Sequence, residues 1–244
     1  MAITVAAVRE TVPGERRVAL TPEVAKKLKA RGARIVLQDG AGASAYFADA
    51  GYIECEVVDV RTALAQADVL LTVQPPSLDE IAQLKQGTVV IGHLQPHLAP
   101  ERTKALRDRK ITAFAMELLP RTTRAQAMDV LSSQAAVAGY KAVLIAAEAA
   151  PKFFPMLTTA AGTIRPSKVL IVGAGVAGLQ AIATARRLGA QVEGFDVRPE
   201  TKEQIESLGA KFLDLGVSAA GSGGYARELT REERDRQQQA LADH

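Results

Sequence analysis

The sequence is poor in cysteine and aromatic residues. Its single cysteine, Cys55, excludes an internal disulfide and is typical of a protein kept in a reducing compartment. Only three histidines could activate this thiol, so we interpret Cys55 as a small buried apolar residue and not as a nucleophile. Tryptophan is absent and aromatic residues make up 4% of the chain, which leaves few platforms on which nucleic-acid bases could stack.

Charge of one sign and long apolar runs are also lacking. The net charge is +3 and basic residues alternate with acidic ones, so we predict no nucleic-acid partner. The longest apolar run, residues 142–150, is interrupted by Glu148 and falls short of the roughly 18 residues of a membrane helix. We therefore expect no direct membrane span, and we expect no targeting signal because Met1 leads directly into a strand.

A glycine pattern near residue 173 is the strongest motif in the chain. An apolar strand at 169–172 leads into G-x-G-x-x-G, followed by a helix at 176–188 and a second strand at 191–195 that ends at an acid. In this arrangement the glycines allow a tight turn, close approach of a pyrophosphate and close packing of helix on strand, and the acid binds the adenosine ribose. The helix N-terminus favours phosphate. The predicted cofactor contacts are Gly173, Gly175, Val176, Ala177, Gly178, Asp196, Val197 and Arg198.

Asp196 and Arg198 give opposite indications about the cofactor. A carboxylate at this position holds a ribose 2′-hydroxyl and repels a 2′-phosphate, whereas an arginine just past the strand can serve NADP. Because Asp196 is present, we favour NAD. The alternative interpretation is that the glycines form a turn in an ordinary βαβ unit that binds no ligand.

The rest of the chain alternates between strand and helix patterns, which predicts parallel sheets with helices on both faces. We predict two Rossmann-like lobes joined by one long helix at 124–150, with the second lobe apparently truncated because no second βαβ half follows. The predicted division is an N-terminal lobe at 1–130, a linking helix and irregular segment at 131–165, and the first half of an NAD-binding lobe at 166–244.

Several segments resemble one family, the NAD(H)-binding component of proton-translocating NAD(P) transhydrogenase, a relative of alanine dehydrogenase. These segments are 16–22, 120–121, 124–129, 131–134, 138–140, 156–163, 173–184 and 223–226. The resemblance covers nearly all of this chain but only about two thirds of the family's usual domain. It implies direct, Re/Si-specific hydride transfer between NAD(H) here and NADP(H) on a partner component, coupled to proton translocation by a membrane-spanning component.

The resemblance also implies a location and site residues. It predicts a homodimer in the cytoplasm, peripheral on the inner face of the plasma membrane through its partners. It places Arg121, Gln126, Asp129 and Ser132 at the nicotinamide end, and Tyr225 on a mobile loop that closes over the nucleotide. The last three of the nicotinamide residues step by three, so on one helix they share a face. The alternative is a capped helix start with Arg121 in a surface ion pair.

Two other functions stay open. An amino-acid dehydrogenase of the alanine dehydrogenase type needs a base and a substrate-binding lysine, and this chain has Gln74 where that relative has lysine. Its histidine would fall at His93 or His97, which we interpret as structural, and Arg17 would meet a substrate carboxylate. The third hypothesis is a non-catalytic nucleotide-binding fragment, because the second sheet looks unfinished.

Overall fold

The computed structural model describes residues 2–221 and 226–244, and the chain divides into two compact units. The first unit is Met1–Val130 and the second is Leu131–His244. Each unit has its own parallel sheet. The predicted α/β class with two Rossmann-like lobes is therefore confirmed.

The first unit is built on a six-stranded parallel sheet. Its strands are β1 (Thr4–Ala7), β2 (Arg34–Gln38), β3 (Glu56–Val58), β4 (Val69–Leu71), β5 (Val89–Gly92) and β6 (Thr112–Ala115). Its helices are α1 (Pro22–Ala30), α2 (Val60–Gln66), α3 (Leu78–Gln83) and α4 (Pro100–Asp108). The strands lie in the order β3-β2-β1-β4-β5-β6, so the chain first builds from β1 to one edge of the sheet and then from β4 to the other edge. Doubly wound sheets bind ligands at such a switch point, which here lies between β1 and β4. β3 and α2 were not predicted from the sequence.

Alternation along β1 shows why helices cover both faces of this sheet. Val5 and Ala7 pack into one buried cluster with α1, whereas Ala6 and Val8 pack into another with α2. Successive side chains of a strand point to opposite faces, so a strand that is apolar at every position needs cover on both sides. The apolar strands of the sequence therefore correctly predict that helices cover both faces of this sheet.

The second unit contains a three-stranded parallel sheet in the order β11-β10-β9. Its elements are α5 (Val130–Ala149), β7 (Leu157–Thr159), β8 (Gly162–Ile164), β9 (Lys168–Val172), α6 (Val176–Arg187), β10 (Gln191–Phe195), α7 (Thr201–Ser207), β11 (Lys211–Phe212) and α8 (Arg231–Asp243). Ile182 of α6 and Ile205 of α7 are fully buried in its core, and Val143 of α5 packs into the same cluster. Helix α8 begins at Arg231 because the side chain of Thr230 caps its N-terminus.

The predicted single helix at 124–150 is wrong at its start. Residues Thr123–Met128 form a 3₁₀ segment, and α5 begins only at Val130. Asp129 lies between them with ψ of 86°, a non-helical value. Asp129 and Val130 are weak helix formers, but the residues before and after them include good ones, and the sequence therefore predicts a helix that continues across the break. Gln126, Asp129 and Ser132 therefore do not lie on one continuous helix face.

The segment expected to be irregular contains a small hairpin. β7 and β8 pair antiparallel, with Thr158 opposite Thr163 and their hydroxyls 3.1 Å apart. Prolines before and after this segment argue against strands, so the hairpin was not predicted from the sequence. In the structure the prolines flank the two strands and do not lie inside them.

Helix α5 bears on the expectation that the chain has no membrane span. Helix α5 (Val130–Ala149) has 20 residues and contains a window with a mean hydropathy of 1.4, so by length and composition it is long and apolar enough to cross a membrane. Core helices of soluble proteins satisfy the same criteria, so the finding is weak evidence for a span. Alanines and valines scattered along α5 raise its mean hydropathy, although the helix has no continuous apolar run as long as a membrane span.

Candidate functional site

The glycine turn of the second unit has the geometry that its sequence predicts. β9 ends at Val172, and Gly173 follows with φ of 96°, which favours glycine. A β-carbon on Gly178 would lie 2.8 Å from the carbonyl carbon of Gly173 and still closer to its oxygen. Gly178 is therefore needed for α6 to pack against the end of the strand.

Gly175 faces open space. A β-carbon there would meet nothing within 4 Å, so the protein's own packing does not require glycine at this position. Gly175 is also the N-cap of α6 and has no side chain that could accept a hydrogen bond from the helix. The first N–H groups of the helix, from Val176 and Ala177 onward, are therefore available to an anion. An open position next to these donors fits a pyrophosphate.

The acid at the end of β10 is bonded to the glycine turn. Asp196 Oδ2 accepts a hydrogen bond of 2.7 Å from the backbone N–H of Ala174. Arg198 donates to the same carboxylate through its backbone N–H, Nε and Nη2 at 2.8 to 2.9 Å. Burial opposes ionisation, but these hydrogen bonds outweigh it and hold the pKa of Asp196 below its ordinary value. The carboxylate is therefore charged at neutral pH.

The segment that follows Asp196 returns to the same edge of the sheet. The carbonyl of Val197 accepts a hydrogen bond of 2.7 Å from the backbone of Ala219, and the carbonyl of Ala219 accepts one of 3.3 Å from Arg227. Val197 is half-buried. Tyr225 lies outside the described residues, so its predicted role stays a prediction.

The residues predicted for the nicotinamide end divide between two local structures. Arg121, Gln126 and Asp129 belong to the first unit, in and around the 3₁₀ segment, whereas Ser132 lies in the first turn of α5. Arg121 Nη2 and the Asp129 carboxylate are 3.9 Å apart, with Asp129 the more buried partner. The ion pair of the alternative interpretation is thus present, and it does not exclude a cofactor role.

The sheet of the first unit also has a ligand-type crevice, but its own carboxylates occupy the backbone donors there. Glu10 follows β1 and accepts hydrogen bonds from the N–H groups of Val73 and Gln74, at 2.6 and 3.0 Å. Glu117 does the same for Leu94 and Gln95 after β5. Paired N–H groups at strand ends normally attract anions. In the part of the chain that the structure describes, the ends of β1 and β4 carry no glycine turn, so this edge of the sheet lacks the features that favour a phosphate.

An ion pair between Glu15, whose side chain is 7% exposed, and the more exposed Arg17 lies beside Glu10. Glu15 accepts hydrogen bonds from Arg17 Nε and Nη2, at 2.8 and 2.6 Å, and from Gln74 Nε2 at 2.7 Å. The hydrogen bonds from Arg17 lower the pKa of Glu15 to about 2. The guanidinium that the rival dehydrogenase would use for a substrate carboxylate is therefore already bonded to a carboxylate of the chain.

Cysteine and histidine, two residue types often involved in catalysis, give no support to a catalytic role here. Burial raises the pKa of the Cys55 thiol, which disfavours the thiolate needed for nucleophilic attack. His93 is half-buried and His97 is exposed in the segment after β5.

Known proteins resemble this chain along almost its whole length. Residues 6–138 match the N-terminal domain and residues 142–244 the C-terminal domain of the family described as alanine dehydrogenase/PNT. The chain belongs to the alanine dehydrogenase/PNT family.

Within this family, the chain is 47% identical to an alpha-subunit chain of NAD(P) transhydrogenase from Rhodospirillum rubrum, and the match covers 96% of this chain. It is 31% identical to alanine dehydrogenase 2 of Staphylococcus aureus, over 82% of this chain and 55% of that relative. The solved structure of transhydrogenase from Sinorhizobium meliloti aligns with a TM-score of 0.87 at 45% identity, covering 99% of this chain and 66% of that one. The chain spans 64% of the length of the Rhodospirillum relative.

Sequence reasoning missed the structural importance of Glu10, Glu15 and Glu117. All three act through hydrogen bonds to residues at least 22 positions away, apart from the local contact of Glu15 with Arg17. A one-dimensional pattern gives no signal for such contacts. These contacts could be predicted only from the strand order, which brings the ends of β1 and β4 together.

Proposed function

We propose that this chain is the NAD(H)-binding part of a proton-translocating NAD(P) transhydrogenase. The observation that carries the proposal is the hydrogen bond of 2.7 Å between Ala174 N–H and Asp196, which joins the glycine turn to the ribose-binding acid. The 47% identity to a transhydrogenase subunit supports the choice of reaction within the family.

The residues of the second unit fit an adenine dinucleotide. The open space at Gly175 accepts a pyrophosphate, the first N–H groups of α6 donate to it, and Asp196 faces the turn. A nicotinamide dinucleotide, when bound, supplies the hydride carrier. The chain supplies binding and orientation, and a transfer between two nicotinamides needs positioning more than a general base.

Arg121, Gln126, Asp129 and Ser132 are proposed to orient the nicotinamide end. Their carboxamide, carboxylate, hydroxyl and guanidinium groups can hold the amide of the ring without exchanging protons with it. The ion pair between Arg121 and Asp129 supports this role because it holds the carboxylate in place. Tyr225 is proposed to close over the nucleotide and exclude water.

The remaining assignments belong to the same proposal. NADP(H) binds to a partner component, and a membrane-spanning component couples the transfer to proton translocation. The chain then acts in the cytoplasm, held at the inner face of the plasma membrane by these partners. The charged carboxylate of Asp196 supports NAD(H) as the dinucleotide bound here, because it repels a 2′-phosphate.

We also propose that the chain forms a homodimer through its second unit. The hairpin β7–β8 is exposed along both strands, and Met156, Leu157 and Ile164 expose apolar side chains there. Apolar surface of this kind marks interaction sites on soluble proteins. The hairpin is too small to be stable without packing against other structure, which supports a protein partner.

The alternative function, an alanine dehydrogenase, has less support. Arg17 is paired with Glu15, and the amide of Gln74 donates to the same carboxylate. The groups nearest to that relative's substrate position therefore bind one another. The 31% identity to an alanine dehydrogenase is also lower than the identity to the transhydrogenase subunit.

One pair of assays distinguishes these functions. The first contains the protein, NADH, an oxidised NADP analogue and the NADP(H)-binding partner component. The second contains the protein, NAD and alanine without a partner. We expect reduction of the analogue in the first mixture and no NADH formation in the second. Activity in the second mixture alone would overturn the proposal, and NADH binding without activity in either would favour the non-catalytic hypothesis.

A further inference from the structure

Arg227 joins two parts of the second unit that are separate in the sequence. Its Nη1 and Nη2 donate to the two carboxylate oxygens of Glu233 in the first turn of α8, at 2.8 and 2.7 Å. Nη2 also donates to the backbone carbonyl of Ser218 at 3.2 Å. The guanidinium therefore bridges the start of α8 and an earlier segment of the chain, residues 217–219.

The partner of Arg227 on α8 is itself held in place. Glu233 accepts a hydrogen bond of 2.9 Å from the backbone N–H of Thr230, and the Thr230 hydroxyl accepts one of 3.2 Å from the N–H of Glu233, so the two residues form a capping box. The hydrogen bonds from Arg227 are the main cause that lowers the pKa of Glu233 to about 2, so this carboxylate is charged at neutral pH. A charged carboxylate that binds both arms of a guanidinium fixes its orientation.

The 217–219 segment lies beside the proposed ribose-binding acid. Ala219 is fully buried, and its N–H donates to the carbonyl of Val197 at 2.7 Å. Val197 directly follows Asp196 in the chain. Arg227 contacts the segment twice, once through its side chain and once through its backbone N–H, which donates to the carbonyl of Ala219 at 3.3 Å. Arg227 thus links α8 to the edge of the sheet that carries the acid.

We propose that Arg227 is a positioning residue for the adenosine end of the dinucleotide. The inference rests on the proposed function, because it assumes that a dinucleotide binds at the glycine turn with its ribose on Asp196. Arg227 acts through the backbone of the 217–219 segment, whose bond to the carbonyl of Val197 holds the chain next to the acid. An acid that is already held in place binds its ligand more tightly, because less conformational freedom is lost on binding.

Two other roles for Arg227 predict different results. The side chains of Arg227 and Glu233 are 45% and 23% exposed, so the pair contributes little to overall stability. If Arg227 only held α8 in place, its removal would lower the unfolding temperature and leave the affinity of the folded chain unchanged. If it acted at the nicotinamide end, its removal would weaken NADH binding and spare ADP-ribose, which has the same adenosine and pyrophosphate groups but lacks the nicotinamide.

The test measures the affinities of NADH and ADP-ribose by titration calorimetry for wild type, Arg227→Ala and Glu233→Gln. Glu233→Gln removes the charge that orients the guanidinium, and its glutamine can still complete the capping box. We expect each variant to weaken both ligands by about fivefold, because solvent screening reduces the effect of a lost hydrogen bond between charged groups. The double variant should bind no more weakly than Arg227→Ala, because the two residues act as one unit.

Two further variants of arginine residues serve as controls. Arg227→Lys keeps the charge but loses the fork, so its affinities should fall between those of wild type and Arg227→Ala. Arg236 is exposed on α8, and Arg236→Ala removes the same charge from the same helix, so it should change both affinities by less than about twofold. Thermal unfolding without nucleotide shows whether each variant is folded. If Arg227→Ala does not fold, the same comparison with Glu233→Gln decides the inference.

The outcomes separate the inference from the proposed function. Unchanged affinity for both ligands in Arg227→Ala, or a loss confined to NADH, would overturn the inference and leave the proposed function standing. Equal losses in Arg227→Ala and Arg236→Ala would also overturn it, because the lost charge alone would then explain the result. A wild-type chain that bound neither ligand would overturn both.

Discussion

Gly139 of α5 lies directly against the carbonyl group of Ala177 in the first turn of α6. A β-carbon at residue 139 would lie 2.9 Å from the carbonyl carbon of Ala177 and closer still to its oxygen. This contact lets the backbone of α5 pack against the helix that begins at the glycine turn. The packing of the proposed cofactor site thus depends on a glycine far from the G-x-G-x-x-G motif.

We predict that Gly139→Ala destabilises the second unit. The added methyl group overlaps main-chain atoms, which cannot move aside as a flexible side chain would, so the free energy of unfolding should fall by about 1–3 kcal/mol. Urea unfolding measures the change. Val137→Ala on the same helix is the control, because Val137 is 57% exposed and the substitution should change stability by less than about 0.5 kcal/mol. Equal stability of both variants would show that the contact is not tight.

Gly175 and Gly178 should respond differently to the same substitution. Gly178→Ala places a methyl group against the carbonyl of Gly173, so it should lower both the unfolding temperature and NADH affinity. Gly175→Ala meets nothing within 4 Å, so the unfolding temperature should stay the same. It should still weaken NADH binding by at least about tenfold, because the methyl group occupies the place of the pyrophosphate. Unchanged NADH affinity in Gly175→Ala would contradict the proposed position of the pyrophosphate.

The glycine turn was predictable because all of its determinants are local. Gly173 needs a positive φ, Gly178 packs against a residue five positions earlier, and Asp196 ends the next strand. The break at Asp129 was not predictable in this way. Asp129 and Val130 are weak helix formers, but such residues also occur inside helices, so only the non-helical ψ of 86° at Asp129 reveals the break. The charge cluster of the first unit also needed the fold, because Glu10 and Gln74 are 64 residues apart.

The ion pair between Glu15 and Arg17 should make the first unit more stable at neutral pH than in acid. An ordinary glutamate has a pKa of 4.5, and Arg17 lowers that of folded Glu15 to about 2. The stabilisation is thus complete above pH 4.5 and is lost as the pH falls from 4.5 to about 2. Arg17 is 43% exposed, so solvent screening reduces the contribution to on the order of 1 kcal/mol.

Glu15→Gln is the variant that measures this contribution. The difference in free energy of unfolding between wild type and variant should be largest at pH 7 and shrink steadily below pH 4.5. Glu10→Gln is the control, because burial raises the pKa of Glu10. Its ionisation therefore disfavours the folded state as the pH rises, and the pH trend should have the opposite sign. A difference for Glu15→Gln that does not change with pH would show that the pair is not ionic.

Asp129→Asn should separate positioning of the nicotinamide from binding. The substitution removes the charge that faces Arg121 at 3.9 Å and keeps the size of the side chain. We expect hydride transfer to the partner component to slow by at least about 100-fold, because misplacing a reacting ring by about 1 Å has an effect of that size. NADH affinity should change by less than about threefold, since the turn and Asp196 hold the adenosine end.

The control for Asp129 is Asp108→Asn in α4. Asp108 forms ion pairs with Lys104 at 3.9 Å and with Arg107 at 2.9 Å, so the variant removes an equal charge from an ion-paired aspartate that is not among the proposed nicotinamide residues. Single-turnover measurements with saturating NADH report the transfer step, and fluorescence titration reports affinity. A loss of affinity as large as the loss of rate would show that Asp129 binds the nucleotide instead of positioning it.

The exposed hairpin gives the last prediction, on self-association. Ile164 of β8 is 43% exposed in the single chain. If it is covered by the hairpin region of a second copy, then Ile164→Lys buries a charge without a partner, which is strongly unfavourable. We expect sedimentation equilibrium to give twice the chain mass for wild type and the single-chain mass for this variant. Ile53→Lys makes the same substitution at a residue of the first unit that is 77% exposed, and it should leave the mass of the dimer unchanged. A wild-type protein at the single-chain mass would contradict the proposed homodimer. An Ile164→Lys variant that still dimerises would show that the dimer contact lies elsewhere.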